Sequence, residues 1–153
     1  MATLHAAQAA QRDQVGRATG VGLLLGIALI HLLDGVNQYH EHKAIFGLYV
    51  LLMGGTLLVA AFLLRTDSRL AWALVTLMAG LTFLAFVISR TTGFPGFKDD
   101  VGNWTESLGL ASLFVEGVAV LLGLYKVATT PSIESGGLRA AVAGSVEDIR
   151  PAI

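Results

Sequence analysis

The chain has 153 residues, 54% of them hydrophobic and only 14% charged, with a mean hydropathy of +0.69. That leaves too little charge to cover a water-soluble domain of this length, and a formal net charge of -1 excludes the basic footprint of a nucleic-acid binder. With no cysteine, disulfides, thiolate metal sites, cysteine nucleophiles and c-type haem attachment are excluded too.

Residues 1–18 form a polar, alanine-rich N-terminal segment with Arg12, Asp13 and Arg17. The apolar run behind it outlasts a signal h-region and no small-residue cleavage site closes it, so it reads as a retained helix. A hydrocarbon core about 30 Å thick needs roughly 20 apolar helical residues. Four stretches qualify: about 19–38, 44–64, 70–89 and 105–125. The second and third contain no charge, and the fourth carries Glu106 at its very start and one carboxylate in its interior, Glu116.

Tyr39 to Lys43 reads as a short turn. Arg65-Thr66-Asp67-Ser68-Arg69 is a tight charged turn that folds the second and third helices into an antiparallel hairpin. Arg90 to Trp104 is longer, and Gly93, Pro95, Gly96 and Gly102 predict a sharply turned loop. Residues 127–153 read as a flexible polar tail. The predicted fold is an all-α integral membrane four-helix bundle with up-down topology. The N-terminal segment, the second connection and the tail hold seven Lys and Arg, against three in the other two connections. This asymmetry predicts cytoplasmic termini, with the histidine turn and the long loop outside.

On the fourth helix Thr105, Gly109, Ser112, Glu116, Ala119 and Gly123 follow steps of four and three. They form one face of small and polar residues that suits close helix contact inside the bundle. Gly22 and Gly26 make a GxxxG on the first helix.

Three residues with charge-bearing side chains fall in the interior of predicted spans: His31, Asp34 and Glu116. Such groups are costly in hydrocarbon and face a partner or a cavity. His31 and Asp34 share a face of the first helix, with Gln38 one turn further along. His31 lies about 10 Å below the outer end of its helix and Glu116 about 16 Å below the outer end of its own, at 1.5 Å per residue. Glu116 is therefore expected to face His31, or to bond a polar neighbour such as Ser112. The functional reading is a proton relay or polar ligand pocket; the structural reading is a buried lock between two helices.

His40-Glu41-His42 offers two imidazoles and a carboxylate, a weak candidate for metal at the outer face, with Asp99 or Asp100 as further ligands. A solvated turn explains the same residues. In the long loop, Arg90 is expected to snorkel or to pair with an acidic loop residue. Trp104 suits the headgroup region. Asn103 and Glu106 fit a capping box for the fourth helix. No Walker loop, GxSxG, HExxH or dinucleotide fingerprint is present, so the sequence requires no cofactor.

Two stretches carry a resemblance. One is Gly22-Leu23-Leu24-Leu25-Gly26-Ile27-Ala28-Leu29-Ile30-His31-Leu32-Leu33-Asp34. The other is Ser89-Arg90-Thr91-Thr92-Gly93-Phe94-Pro95-Gly96, followed by Asp99 to Trp104, Leu108-Gly109 and Glu116-Gly117. Together they resemble small four-span hypothetical membrane proteins of actinobacteria, over about Gly20 to Tyr125. The resemblance implies a bacterial plasma membrane and brings no activity with it. The His40-Glu41-His42 cluster lies outside its pattern.

The leading functional expectation is a non-enzymatic accessory or scaffold component that meets the lipid bilayer and either a membrane-protein partner or a second copy. The alternative is a small proton-coupled transport element, or a binder of an amphipathic, quinone-like ligand, using His31, Asp34 and Glu116. A third is an outer-face metal binder.

Overall fold

The computed structural model describes residues 2–41, 43–96 and 98–130. These residues are all-helical, with four helices and no strand: α1 (Ala2–Glu41), α2 (Lys43–Arg65), α3 (Arg69–Thr91) and α4 (Ser107–Thr129). Among the described residues the one proline, Pro95, falls outside the helices, so no ring breaks a backbone ladder there. Each helix contains a stretch long and apolar enough to cross a membrane.

Element boundaries differ from the sequence reading at three places. Residues 2–18 continue α1 as helix, giving 40 residues, or about 60 Å of rod. The alanines there favour helix without needing a packed face. The turn predicted at Tyr39 to Lys43 is shorter, because α1 runs to Glu41 and α2 starts at Lys43. Thr105 lies outside α4, which begins at Ser107 and runs on to Thr129. Thr130 then turns extended, as a residue ahead of proline prefers.

Consecutive helices run antiparallel. α1 packs against α2 and α4, α3 packs against α4 and α2, and α1 and α3 meet only briefly across the diagonal. One end of the bundle carries the 66–68 turn and is called the hairpin end; the other carries the 92–106 connection and is called the loop end. Ser68 caps α3 at the hairpin end, its hydroxyl accepting from Ala71 N–H at 3.2 Å.

The core is thickest toward the hairpin end. Leu24, Val59, Ala60, Leu63, Ala71, Trp72 and Val75 pack there, and Ile27, Ala79 and Ala119 continue it toward the middle. Trp72 is fully buried because Gly20 leaves room; a Cβ on Gly20 would lie 2.8 Å from the indole ring. The predicted small-residue face of α4 does point inward: Gly109, Ser112, Glu116, Ala119 and Gly123 are all buried. Gly123 lets α4 approach the α3 backbone, since a Cβ there would stand 3.2 Å from Thr76 N.

The radial distribution is the reverse of a water-soluble protein's. Leu51 and Leu58 are 73% exposed and Phe114 is 72% exposed, whereas Glu116 and Thr56 are 0% exposed. Large apolar side chains face out on every helix and polar ones face in, which suits an apolar surrounding medium.

Candidate functional site

The polar interior is built by all four helices on the loop-end side of the apolar core. Glu116, on the buried stripe of α4, lies at its deepest point. The Ser112 hydroxyl, one turn earlier on the same helix, donates to Glu116 Oε1 at 2.6 Å. His31 comes from α1, and its Nε2 stands 3.9 Å from the same oxygen. The structure thus brings together His31, Ser112 and Glu116. Glu116 Oε2 is buried and has no hydrogen-bond partner.

The histidine is oriented by its other nitrogen. His31 Nδ1 lies 2.9 Å from the Ile27 carbonyl oxygen. A carbonyl only accepts, so Nδ1 carries its hydrogen in either charge state. Nε2, which faces Glu116, is therefore the atom that gains or loses a proton. One proton between the two groups leaves the pair neutral overall, either as imidazole with carboxylic acid or as imidazolium with carboxylate. A separation of 3.9 Å exceeds hydrogen-bond reach, so direct transfer needs about 1 Å of approach.

Above this pair, Asp34 is joined by a residue the sequence reading missed. The Tyr49 hydroxyl on α2 donates to Asp34 Oδ2 at 2.7 Å. The Tyr49 ring also stands edge-on to His31, with centroids 5.2 Å apart and planes at 87°. Counted inward from the loop end, Asp34 and Tyr49 precede His31 on the α1–α2 side, and Ser112 precedes Glu116 on α4. A sequence clue to Tyr49 exists: in an antiparallel helical hairpin, residues equally distant from the turn are level. Asp34 and Tyr49 flank the α1–α2 junction symmetrically.

Arg90 closes the loop end. It is 6% exposed despite its charge. One terminal nitrogen bonds Glu106, and Nη1 lies 2.7 Å from Asp100 Oδ1. Nη1 nevertheless makes no aligned hydrogen bond, so its contact with Asp100 is mainly Coulombic. The guanidinium sits 4.8 Å from the Phe86 ring centroid, and Phe86 meets Trp104 edge-on at 6.3 Å. The loop backbone joins the same residue, with Gly102 N–H donating to Arg90 C=O at 2.9 Å. Gly102 has φ of +85°, a conformation that favours glycine. Asp34 and Asp100 lie within electrostatic reach of Glu106, as they and Arg90 do of Tyr49.

The predicted capping box is corrected here. Glu106 occupies the cap position itself and makes no side-chain cap bond. Because α4 starts at Ser107, its carboxylate is two to three positions too early to reach back, and it turns to Arg90 instead. Burial raises the Glu106 carboxyl above its ordinary value, against the opposing pull of Arg90.

Gln38, His40, Glu41 and His42 lie outside the residues whose side chains are described. Among the described residues no group of three His, Asp or Glu is placed to hold a metal ion. Asp100, one of the suggested further ligands, is engaged by Arg90.

A second buried cation was also missed. Lys126 is 7% exposed near the hairpin end. It bonds Asp13 on α1 at 2.8 Å and lies 5.5 Å from the Trp72 ring centroid. Its position continues the α4 stripe by one more step of three from Gly123, and the pattern in the sequence contained that clue. Compared with protein-family models, curated proteins and solved structures, the chain matches none.

Proposed function

We propose that this chain is a four-pass integral protein of a bacterial plasma membrane, with cytoplasmic termini, whose buried Glu116–His31 pair takes up and releases a proton. The observation that carries this is Glu116 itself. It is fully buried, one carboxyl oxygen has no partner, and the other faces the titrating nitrogen of His31. A purely structural carboxyl gains by having both oxygens bonded.

The polar neighbours of the pair lie on its loop-end side. Tyr49 and Asp34 lead from His31 toward the loop end. Toward the hairpin end the next layers are Ile27, Ala79 and Ala119, then Leu24, Val75, Trp72 and Leu63. Such an arrangement loads a proton from one face and does not pass it through. The role it fits is coupling proton binding to packing within the bundle or with a neighbour.

The test uses full-length protein in lipid vesicles and follows the infrared carboxylic C=O band as pH is changed. Wild type should show a titrating band that Glu116→Gln removes while the protein stays folded. A band that Glu116→Gln leaves unchanged refutes the proposal.

The scaffold reading has its own support. On α2, Gly47 and Gly54 lie on the exposed side with nothing within 4 Å of an added Cβ, alongside the exposed Leu51 and Leu58. This surface admits close approach by another helix. Copurification of a stable membrane-protein partner from native membrane, lost on Gly54→Leu, would support an accessory role.

A further inference from the structure

The two ends of the bundle treat their charges differently. At the loop end, Arg90 is neutralised by Asp100 and Glu106. Among the described residues at the hairpin end, Asp13 is paired with Lys126, and Asp67 accepts from the Trp72 indole N–H at 2.5 Å. The Ser68 hydroxyl caps α3. Arg17, Arg65 and Arg69 are left with no ion-pair partner among the described residues.

Those three arginines share one level. Gly20, Leu63 and Trp72 touch, which sets a common height on α1, α2 and α3. Arg17 is three residues beyond Gly20, Arg65 two beyond Leu63 and Arg69 three before Trp72, all toward the hairpin end. At 1.5 Å per residue they stand about 3 to 4.5 Å above that height. Arg65 and Arg69 are exposed and Arg17 is half-buried, while Gly20 and Trp72 beneath them are buried. The level marks the end of the apolar part of three spans.

We infer that the hairpin end is a binding surface for anionic phospholipid headgroups, held by Arg17, Arg65 and Arg69. Guanidinium forks match the phosphodiester oxygens in pairs and carry the charge an anionic headgroup needs. The occupant follows from the spans: a bilayer covering the exposed leucines of α2 brings its phosphates to the level where α2 ends and α3 begins. The inference rests on the membrane placement proposed above and is independent of the Glu116 pair.

The test is lipid selectivity of the full chain in phosphatidylcholine vesicles, read by electron paramagnetic resonance from spin-labelled phosphatidylglycerol and phosphatidylcholine. Flotation of the protein with the vesicles is checked first; failure to float rejects the membrane placement, a result distinct from loss of selectivity. Phosphatidylglycerol should be favoured about threefold or more, on the scale of basic residues at an anionic surface. The combined Arg17→Gln, Arg65→Gln and Arg69→Gln variant should fall to parity, and Lys43→Gln with Lys98→Gln at the other end should not. If the glutamine variant does not fold, the three Arg→Lys changes replace it and should lower selectivity, because lysine lacks the fork. Equal selectivity in wild type and variant overturns the inference. So does loss of selectivity on adding inorganic phosphate but not chloride at matched ionic strength, which would assign the arginines to a free anion.

Discussion

Tyr49 bonds Asp34 through its hydroxyl and meets His31 with its ring edge, so one α2 side chain contacts two polar residues on one face of α1. The hydroxyl and the ring have separable roles. Tyr49→Phe keeps the ring contact and removes the hydrogen bond, and should lower stability by about 1 kcal/mol. Asp34→Ala, which removes the acceptor, should cost about 1 kcal/mol less in the Tyr49→Phe background than in wild type, because the two changes share one interaction. Thermal unfolding of the single and double variants in detergent measures this; full additivity would show that the bond contributes nothing.

Glu116 separates charge from shape. Glu116→Gln preserves the volume and an acceptor for Ser112, so thermal stability should change by less than about 1 kcal/mol. Glu116→Leu leaves the buried Ser112 hydroxyl without its partner and His31 Nε2 facing carbon. A loss of about 1–3 kcal/mol is expected, seen as a lower midpoint in detergent. A silent Glu116→Leu would remove the structural role.

Backbone approach between α3 and α4 depends on one missing methyl group. Gly123→Ala places a Cβ against Thr76, including its backbone, and should cost about 1–3 kcal/mol as the helices move apart. Gly54→Ala meets nothing within 4 Å and should be neutral or stabilising by up to about 1 kcal/mol through helix propensity. Unfolding midpoints of the two variants should move in opposite directions or differ by several degrees.

Acidity enters through Glu106. Its carboxyl titrates above the ordinary 4.5 in the folded protein because burial outweighs the pull of Arg90. The folded state then holds this proton more tightly than the unfolded chain. The contribution of Glu106 to stability is fully present below about 4.5 and declines as pH rises through the folded value. Relative to Glu106→Gln, which does not titrate, wild type should lose stability as pH rises from about 4.5 through the raised folded value. A wild type that gains over this range would show that the Arg90 pair dominates.

Hydropathy was enough to find four long apolar helices because hydrocarbon thickness sets a minimum length and each run excludes Lys and Arg. The inward face of α4 was legible for a related reason: small and polar residues recur at helical spacing, and only one face can carry them. The Glu116–His31 approach was readable from depth alone. Tyr49 was harder, since a tyrosine near a helix end suits the headgroup region equally well, and its partner is fifteen positions away. Glu106 was misread because a capping box depends on where the helix starts, and a shift of two to three residues changes the role. Lys126 was overlooked because a lysine at the end of a span is expected to reach solvent, whereas here Asp13 and Trp72 hold it.

The two tryptophans of the chain lie at opposite ends of the bundle, Trp72 sealed in the core and Trp104 41% exposed beside Phe86. Their indoles experience different surroundings and therefore emit at different wavelengths. The molecule thus contains a pair of built-in optical gauges. A single emission spectrum recorded during heating reports which end loosens first, with no label attached.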